Sequence, residues 1–211
     1  EIKGDDPKPL AALFMVVWGA VAVFYNMPEV AALSVMALMT LLGFSIIVGR
    51  LSYAFGFEDD ASIPSGTTAA LILLAVALVL HAYVPSAPDA VAVFKPGLFW
   101  VASFVGFVGL LIIASRWYGK RKTYVARQIV TIVVLFGSVG LGLVLGLNPL
   151  AGMAGVFLVL YLASKPIEIE THGKIAFGLT LMATGGILYT AWWYGMKHQD
   201  VVSQYLTTQI S

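Results

Sequence analysis

Seven long apolar runs divide this chain, and they constrain its fold more than any other feature. A helix needs about 20 apolar residues to cross the roughly 30 Å hydrocarbon core of a bilayer. The runs do not alternate apolar and polar residues as the strands of a membrane barrel do. The sequence therefore predicts an all-α, polytopic integral membrane protein, with one transmembrane domain over residues 1–211 and seven helices in a compact bundle. The predicted spans are residues 9–26, 30–49, 67–83, 97–115, 124–146, 149–164 and 174–194.

Composition leads to the same class of protein. Of the 211 residues, 60% are hydrophobic and only 11% are charged, whereas about a quarter of the residues in a soluble domain carry charge. The chain contains no cysteine, so disulfides, thiolate-ligated zinc or iron–sulfur clusters and a cysteine nucleophile are excluded. The sequence shows no pattern typical of a haem, metal or iron–sulfur site, and it predicts no particular cofactor.

The distribution of basic residues predicts an orientation. With seven spans, ten of the 12 Lys and Arg residues fall at the N-terminus and in the even-numbered loops, which share one side of the membrane. Loops rich in Lys and Arg stay in the cytoplasm. We therefore expect a cytoplasmic N-terminus, an external C-terminus and a prokaryotic cytoplasmic (inner) membrane as the location.

The predicted spans carry no Asp, Glu, Lys or Arg near their middle. Ion-coupled carriers use such intramembrane groups as relays and counter-ions. The sequence therefore disfavours an ion-coupled transporter.

A basic cluster surrounds the predicted fourth loop and consists of Arg116, Lys120, Arg121, Lys122 and Arg127. Near a membrane surface each such charge attracts anionic lipid by about 1 kcal/mol. The cluster is a candidate site for anionic lipid headgroups or an acidic partner, although setting the topology alone would also require basic residues here. We expect no nucleic-acid binding from so short a loop.

Small residues recur at every fourth position in two predicted spans: Ser138, Gly142 and Gly146, then Ala151 and Gly155. Such ridges let helix backbones approach closely in a membrane, where no hydrophobic effect drives helices together. They predict helix packing, and the remaining lipid-facing surface is then available to other membrane subunits or to a homo-oligomer.

Three functional hypotheses follow. The favoured one is a non-catalytic protein, a structural or accessory subunit of a larger membrane complex. The second is a channel or carrier for a neutral or lipidic solute, with a polar path along Ser45, Thr131, Ser138, Thr180, Thr184 and Thr190. The third is an enzyme acting on lipid headgroups at the cytoplasmic face, using Glu168, Glu170 and His172 near Lys165 and Lys174. The subunit and carrier hypotheses make different predictions for the hydroxyls of the polar path. In a carrier they face one shared cavity, whereas in a subunit they lie at separate helix contacts.

Overall fold

The computed structural model describes residues 8–48, 53–57, 61–83, 88–118 and 121–169, and the single positions 178, 182, 185 and 186. Helices form most of this part of the chain. Five of them are long and apolar enough to cross a membrane, namely Lys8–Tyr25, Ser62–Ala82, Ala90–Ala114, Tyr124–Val144 and Asn148–Lys165. They confirm the predicted helical fold with several helices able to cross a membrane, and they match the first, third, fourth, fifth and sixth predicted spans. The seventh, 174–194, lies outside the described residues apart from the four single positions.

The first two helices, α1 (Lys8–Tyr25) and α2 (Pro28–Leu41), pack against each other. Asn26 ends α1 in a left-handed conformation, with φ 52°, and the Met27 N–H donates to the Ala22 carbonyl at 3.0 Å. This arrangement satisfies one of the carbonyls that every helix leaves unpaired at its C-terminus. The chain therefore reverses within a few residues and brings α2 alongside α1.

The predicted helix over residues 30–49 is wrong in its second half. The helix α2 has 14 residues, or about 21 Å at 1.5 Å per residue. The chain turns at Gly43, with φ 91°, and continues as β1 (Phe44–Val48) and β2 (Tyr53–Phe57), an antiparallel hairpin. The β-branched and aromatic residues of this segment favour a strand, but an apolar run alone does not distinguish a helix from a buried strand.

The next helix, α3 (Ser62–Tyr83), packs against the last part of the fourth span. That span runs through α4 (Asp89–Ala92), α5 (Lys95–Gly97), a π-helical turn (Leu98–Ala102) and α6 (Ser103–Ala114). It is the most buried of the five spans, because α2, α3 and α7 all contact parts of it. Its fully buried side chains include Ala102, Val105 and Phe107. In the described part of the chain, the hydrophobic core therefore lies along this span.

A 3₁₀ turn (Arg121–Thr123) leads into α7 (Tyr124–Val144), and α8 (Asn148–Ile169) follows. The predicted sixth span ended at residue 164, but the helix continues through Pro166, so Lys165 and Glu168 lie on α8 and not in a loop. The chain divides into two compact units within α8, Glu1–Ala154 and Gly155–Ser211.

Candidate functional site

Arg127 of the basic cluster donates hydrogen bonds to main-chain carbonyls and therefore stabilises the fold. Its Nη1 donates to the Ile113 carbonyl at 2.7 Å and also to the Tyr118 carbonyl. The neighbouring Gln128 donates from Nε2 to the Ala114 carbonyl. These carbonyls belong to the C-terminus of α6 and the loop after it, where helix carbonyls lack partners and the helix dipole favours a cation. The first turn of α7 therefore caps α6.

The aromatic ring of Tyr118 lies beneath the same guanidinium. The Arg127 Cζ is 5.7 Å from the ring centroid, within the range of a cation–π interaction. Arg127 also donates from Nε to the Thr123 carbonyl at 3.4 Å. Backbone and ring together therefore hold the guanidinium between the two ends of the loop.

Two other members of the basic cluster face outward. Arg116 and Lys122 are exposed, and the Trp117 side chain between them in sequence is 71% exposed. Lys120 lies outside the described residues, and for Arg121 the structure describes the backbone of the 3₁₀ turn. Cations beside an exposed indole are typical of a membrane interface, where the ring sits at headgroup level. We name Arg116, Trp117 and Lys122 the interfacial patch.

The predicted packing residues have three different surroundings. A Cβ atom on Gly142 would lie 2.6 Å from the Ala151 backbone nitrogen, so α7 and α8 approach closely here, and Ser138 is buried one turn earlier. Gly146 instead ends α7 with φ 67°, where the Leu147 N–H donates to the Gly142 carbonyl at 2.7 Å. Around the Cβ position of Gly155, the described part of the chain places nothing within 4 Å.

Of the hydroxyls of the predicted polar path, the structure describes the side chains of Thr131 and Ser138, both buried on α7. Ser34 and Thr67 are buried hydroxyls outside that path. Thr131 is buried and its Oγ1 lies 3.5 Å from the Leu110 carbonyl, across the contact of α7 with α6. Ser34 donates to the Met15 carbonyl at 2.7 Å between α1 and α2. Thr67 donates to the Ile63 carbonyl at 2.6 Å within α3. Thr180, Thr184 and Thr190 lie outside the described residues, as does the side chain of Ser45.

An ion pair lies at the end of α8, in the second compact unit. Lys165 Nζ donates to Glu168 Oε2 at 3.0 Å, and the two side chains are 16% and 3% exposed. The same ammonium lies 4.5 Å from the centroid of the Tyr161 ring. Of the residues predicted for headgroup chemistry, Lys165 and Glu168 thus bind each other, while Glu170, His172 and Lys174 lie outside the described residues.

Sequence reasoning missed an apolar cavity of about 180 Å³ between α2 and the fourth span. Met36, Phe44, Trp100 and Phe104 contribute most of its aromatic and thioether lining, and no polar surface lines it. Trp100 belongs to the π-helical turn, and hydropathy gives no signal for such a turn.

The described residues also contain no cluster of three His, Asp or Glu side chains that would hold a metal ion. No protein family, curated protein or solved structure matches this chain.

Proposed function

We propose that the chain is a non-catalytic integral membrane protein that serves as a structural or accessory subunit of a larger membrane complex. The observation that carries this proposal is that buried hydroxyls of the described spans form hydrogen bonds within the protein. In the described spans the side chains of Ser34, Thr67 and Thr131 serve helix contacts or their own backbone. These three hydroxyls bind main-chain carbonyls of the protein itself, which supports a structural role for them.

Two further features support the same proposal. Only 11% of α1 is buried, and only 22% of the membrane-spanning window of α7. Their outer faces are apolar, with Phe14 and Val17 exposed on α1 and Val133 and Phe136 on α7. In a bilayer such faces contact either lipid or the helices of other subunits, and partner subunits are the occupants that this proposal expects.

The proposal includes an orientation and a lipid partner. Following the distribution of Lys and Arg, we place the interfacial patch at the cytoplasmic surface of a prokaryotic inner membrane. There Arg116 and Lys122 would bind anionic headgroups while Trp117 anchors the loop at the interface. Arg127 is not part of this binding surface, because its guanidinium is held by the carbonyls of Ile113 and Tyr118.

Native mass spectrometry of the protein, extracted from its own membrane in mild detergent, tests the subunit proposal. We expect a second protein at fixed stoichiometry. Exchange of Val133 and Phe136 for Ala on the outer face of α7 should release it if that face is the contact, and the same exchange of Phe14 and Val17 tests α1. A lone chain or a homo-oligomer would contradict the proposal and favour the carrier hypothesis instead.

The lipid partner is tested with the same instrument. Retained anionic lipid should fall roughly fivefold for each charge removed in Arg116→Gln and Lys122→Gln, since each near-surface charge contributes about 1 kcal/mol. Lys95→Gln, which removes a charge far from the basic cluster in sequence, is the matched control. Equal lipid retention in all variants would contradict a headgroup site at the interfacial patch.

A further inference from the structure

The fourth span changes its helical geometry partway along. Residues Leu98–Ala102 form a π-helical turn, which contains one residue more than an α-helical turn and so rotates the two flanking helices relative to each other. The Ser103 N–H, directly after this turn, donates to the Trp100 carbonyl three residues earlier, whereas an α-helix uses the carbonyl four residues earlier. Turns of this kind are rare and recur at functional sites, so the contacts that maintain this one are informative.

The hydroxyl of Ser103 is placed unfavourably by the π turn. Ser103 is fully buried, and within the described part of the chain its Oγ has no hydrogen-bond partner. On regular helices, the Thr67 hydroxyl donates to the Ile63 carbonyl four residues earlier, and the Thr40 hydroxyl makes the same kind of bond. In a regular helix the Phe99 carbonyl would lie at this spacing from Ser103. Because an unpaired buried hydroxyl is unfavourable, an α-helical form of the turn would stabilise this residue.

A close contact with α2 opposes that change. A Cβ atom on Gly97 would lie 2.7 Å from the Ala32 Cα, so a glycine is required where the two helices meet. If the turn became α-helical while α6 stayed in place, the turn would hold one residue fewer and Leu98 would move into the position of Gly97. The leucine side chain would collide with α2 unless α2 moved away. The position of α2 therefore selects the π form.

The two sides of the turn are held with different firmness. On its C-terminal side α6 packs closely on α3, where a Cβ on Gly106 would lie 3.1 Å from Leu71 Cδ2, and Arg127 and Gln128 bind carbonyls at the end of α6. On its N-terminal side α4 and α5 have only four and three residues, and the turn between them begins at Val93. Residues at the ends of elements absorb rotations of this kind. The segment before the π turn is thus the part that would rotate.

We infer that the π turn of the fourth span is a conformational switch controlled by α2. In the described form, Gly97 packs against Ala32 and the Ser103 hydroxyl is unpaired. In the second form the turn is α-helical, the Ser103 hydroxyl donates to the Phe99 carbonyl, and α5 has rotated relative to α6 by about 100°, the angle of one residue. Any contact that draws α2 away from the fourth span favours the second form. The inference concerns the chain by itself and does not depend on the subunit proposal.

The distance between two spin labels tests the inference. The chain has no cysteine, so Lys95→Cys on α5 and Ile72→Cys on α3, where the Ile72 side chain is 57% exposed, provide two labelling sites for pulsed electron paramagnetic resonance. A rotation of about 100° displaces a side chain on the surface of a helix about 10 Å wide by about 8 Å. We expect one dominant distance in the parent protein. Gly97→Ala places a methyl group against Ala32, pushes α2 away and should populate a second distance.

Ser103→Ala tests the role of the hydroxyl. This change removes the hydrogen bond that favours the second form. Combined with Gly97→Ala, it should therefore lower the ratio of the second population to the first about fivefold, as expected for one net hydrogen bond. The matched control is Ser138→Ala, because Ser138 is a buried serine on α7; it should leave the ratio unchanged.

If Gly97→Ala fails to fold, Ala32→Val crowds the same contact from α2 and should also populate the second distance. A single distance in both of these variants would overturn the inference. It would equally be overturned if Ser103→Ala and Ser138→Ala had the same effect on the ratio of the two populations.

Discussion

At the scale of single residues, the basic cluster separates into cations with different roles. The sequence places Arg127 among five basic residues that look equivalent. In the fold its guanidinium completes the end of α6, whereas Arg116 and Lys122 are exposed. The distinction arises because Arg127 lies one turn into α7, where its side chain reaches back to the carbonyls of Tyr118 and Ile113, nine and 14 residues earlier. Sequence proximity to a loop does not reveal that contact.

Arg127→Ala should lower the free energy of unfolding by about 2 kcal/mol, because a hydrogen bond from a charged donor is worth about 1.5–3 kcal/mol. Lys122→Ala, at an exposed position, should change it by less than about 0.5 kcal/mol. Denaturation in mixed detergent micelles, followed by helical circular dichroism, measures both. Equal stability of the two variants would show that Arg127 does not cap α6.

Glycine contacts provide a second residue-scale prediction. A Cβ on Gly109 would lie 1.8 Å from Thr67 Oγ1, and Thr67 is a stiff, buried side chain. Gly109→Ala should therefore destabilise the protein by about 1–3 kcal/mol through overpacking of α3 against α6. At Gly137 on α7, the described residues leave the Cβ position open, so Gly137→Ala should be neutral or stabilising by up to about 1 kcal/mol. The same denaturation assay compares them, and a neutral Gly109→Ala would contradict the close contact.

At the scale of elements, two helix ends differ from those that hydropathy indicates. The helix α2 stops at Leu41 because the left-handed Gly43 leads into a hairpin. The helix α8 instead extends to Ile169 beyond the apolar run, and its polar extension carries the ion pair of Lys165 and Glu168. The i, i+3 spacing of this pair is visible in the sequence, but its burial is not.

Breaking the ion pair of Lys165 and Glu168 should lower the free energy of unfolding strongly, whereas replacing both residues with apolar side chains should change it little. Glu168→Ala leaves the partner ammonium without its carboxylate and should destabilise the protein by about 3–5 kcal/mol. The double variant Lys165→Met with Glu168→Leu should recover most of that loss, since apolar replacements of buried pairs are often neutral. A double-mutant cycle of unfolding free energies isolates the coupling. Additive losses would mean that the two side chains do not stabilise each other.

At the scale of the whole molecule, the testable property is orientation. The chain lacks cysteine, so single cysteines provide clean labels. Pro88 and Lys122 are both exposed and lie on loops that seven-span topology puts on opposite sides. In intact cells, a membrane-impermeant maleimide should label Pro88→Cys, whereas Lys122→Cys should react only after lysis. The reverse pattern would invert the proposed topology and move the interfacial patch to the outer surface.

Hydropathy and composition by themselves determined that this chain is helical with several helices able to cross a membrane, and they located five of these helices close to their observed positions. They succeeded because transfer of a long apolar run into hydrocarbon is a local, additive property of the segment. Tertiary structure alone decided where α2 ends, which carbonyls Arg127 binds, which glycine meets Thr67 and that a cavity lies beside Trp100. Each of these depends on contacts between segments distant in sequence, and local periodicity carries no information about such contacts.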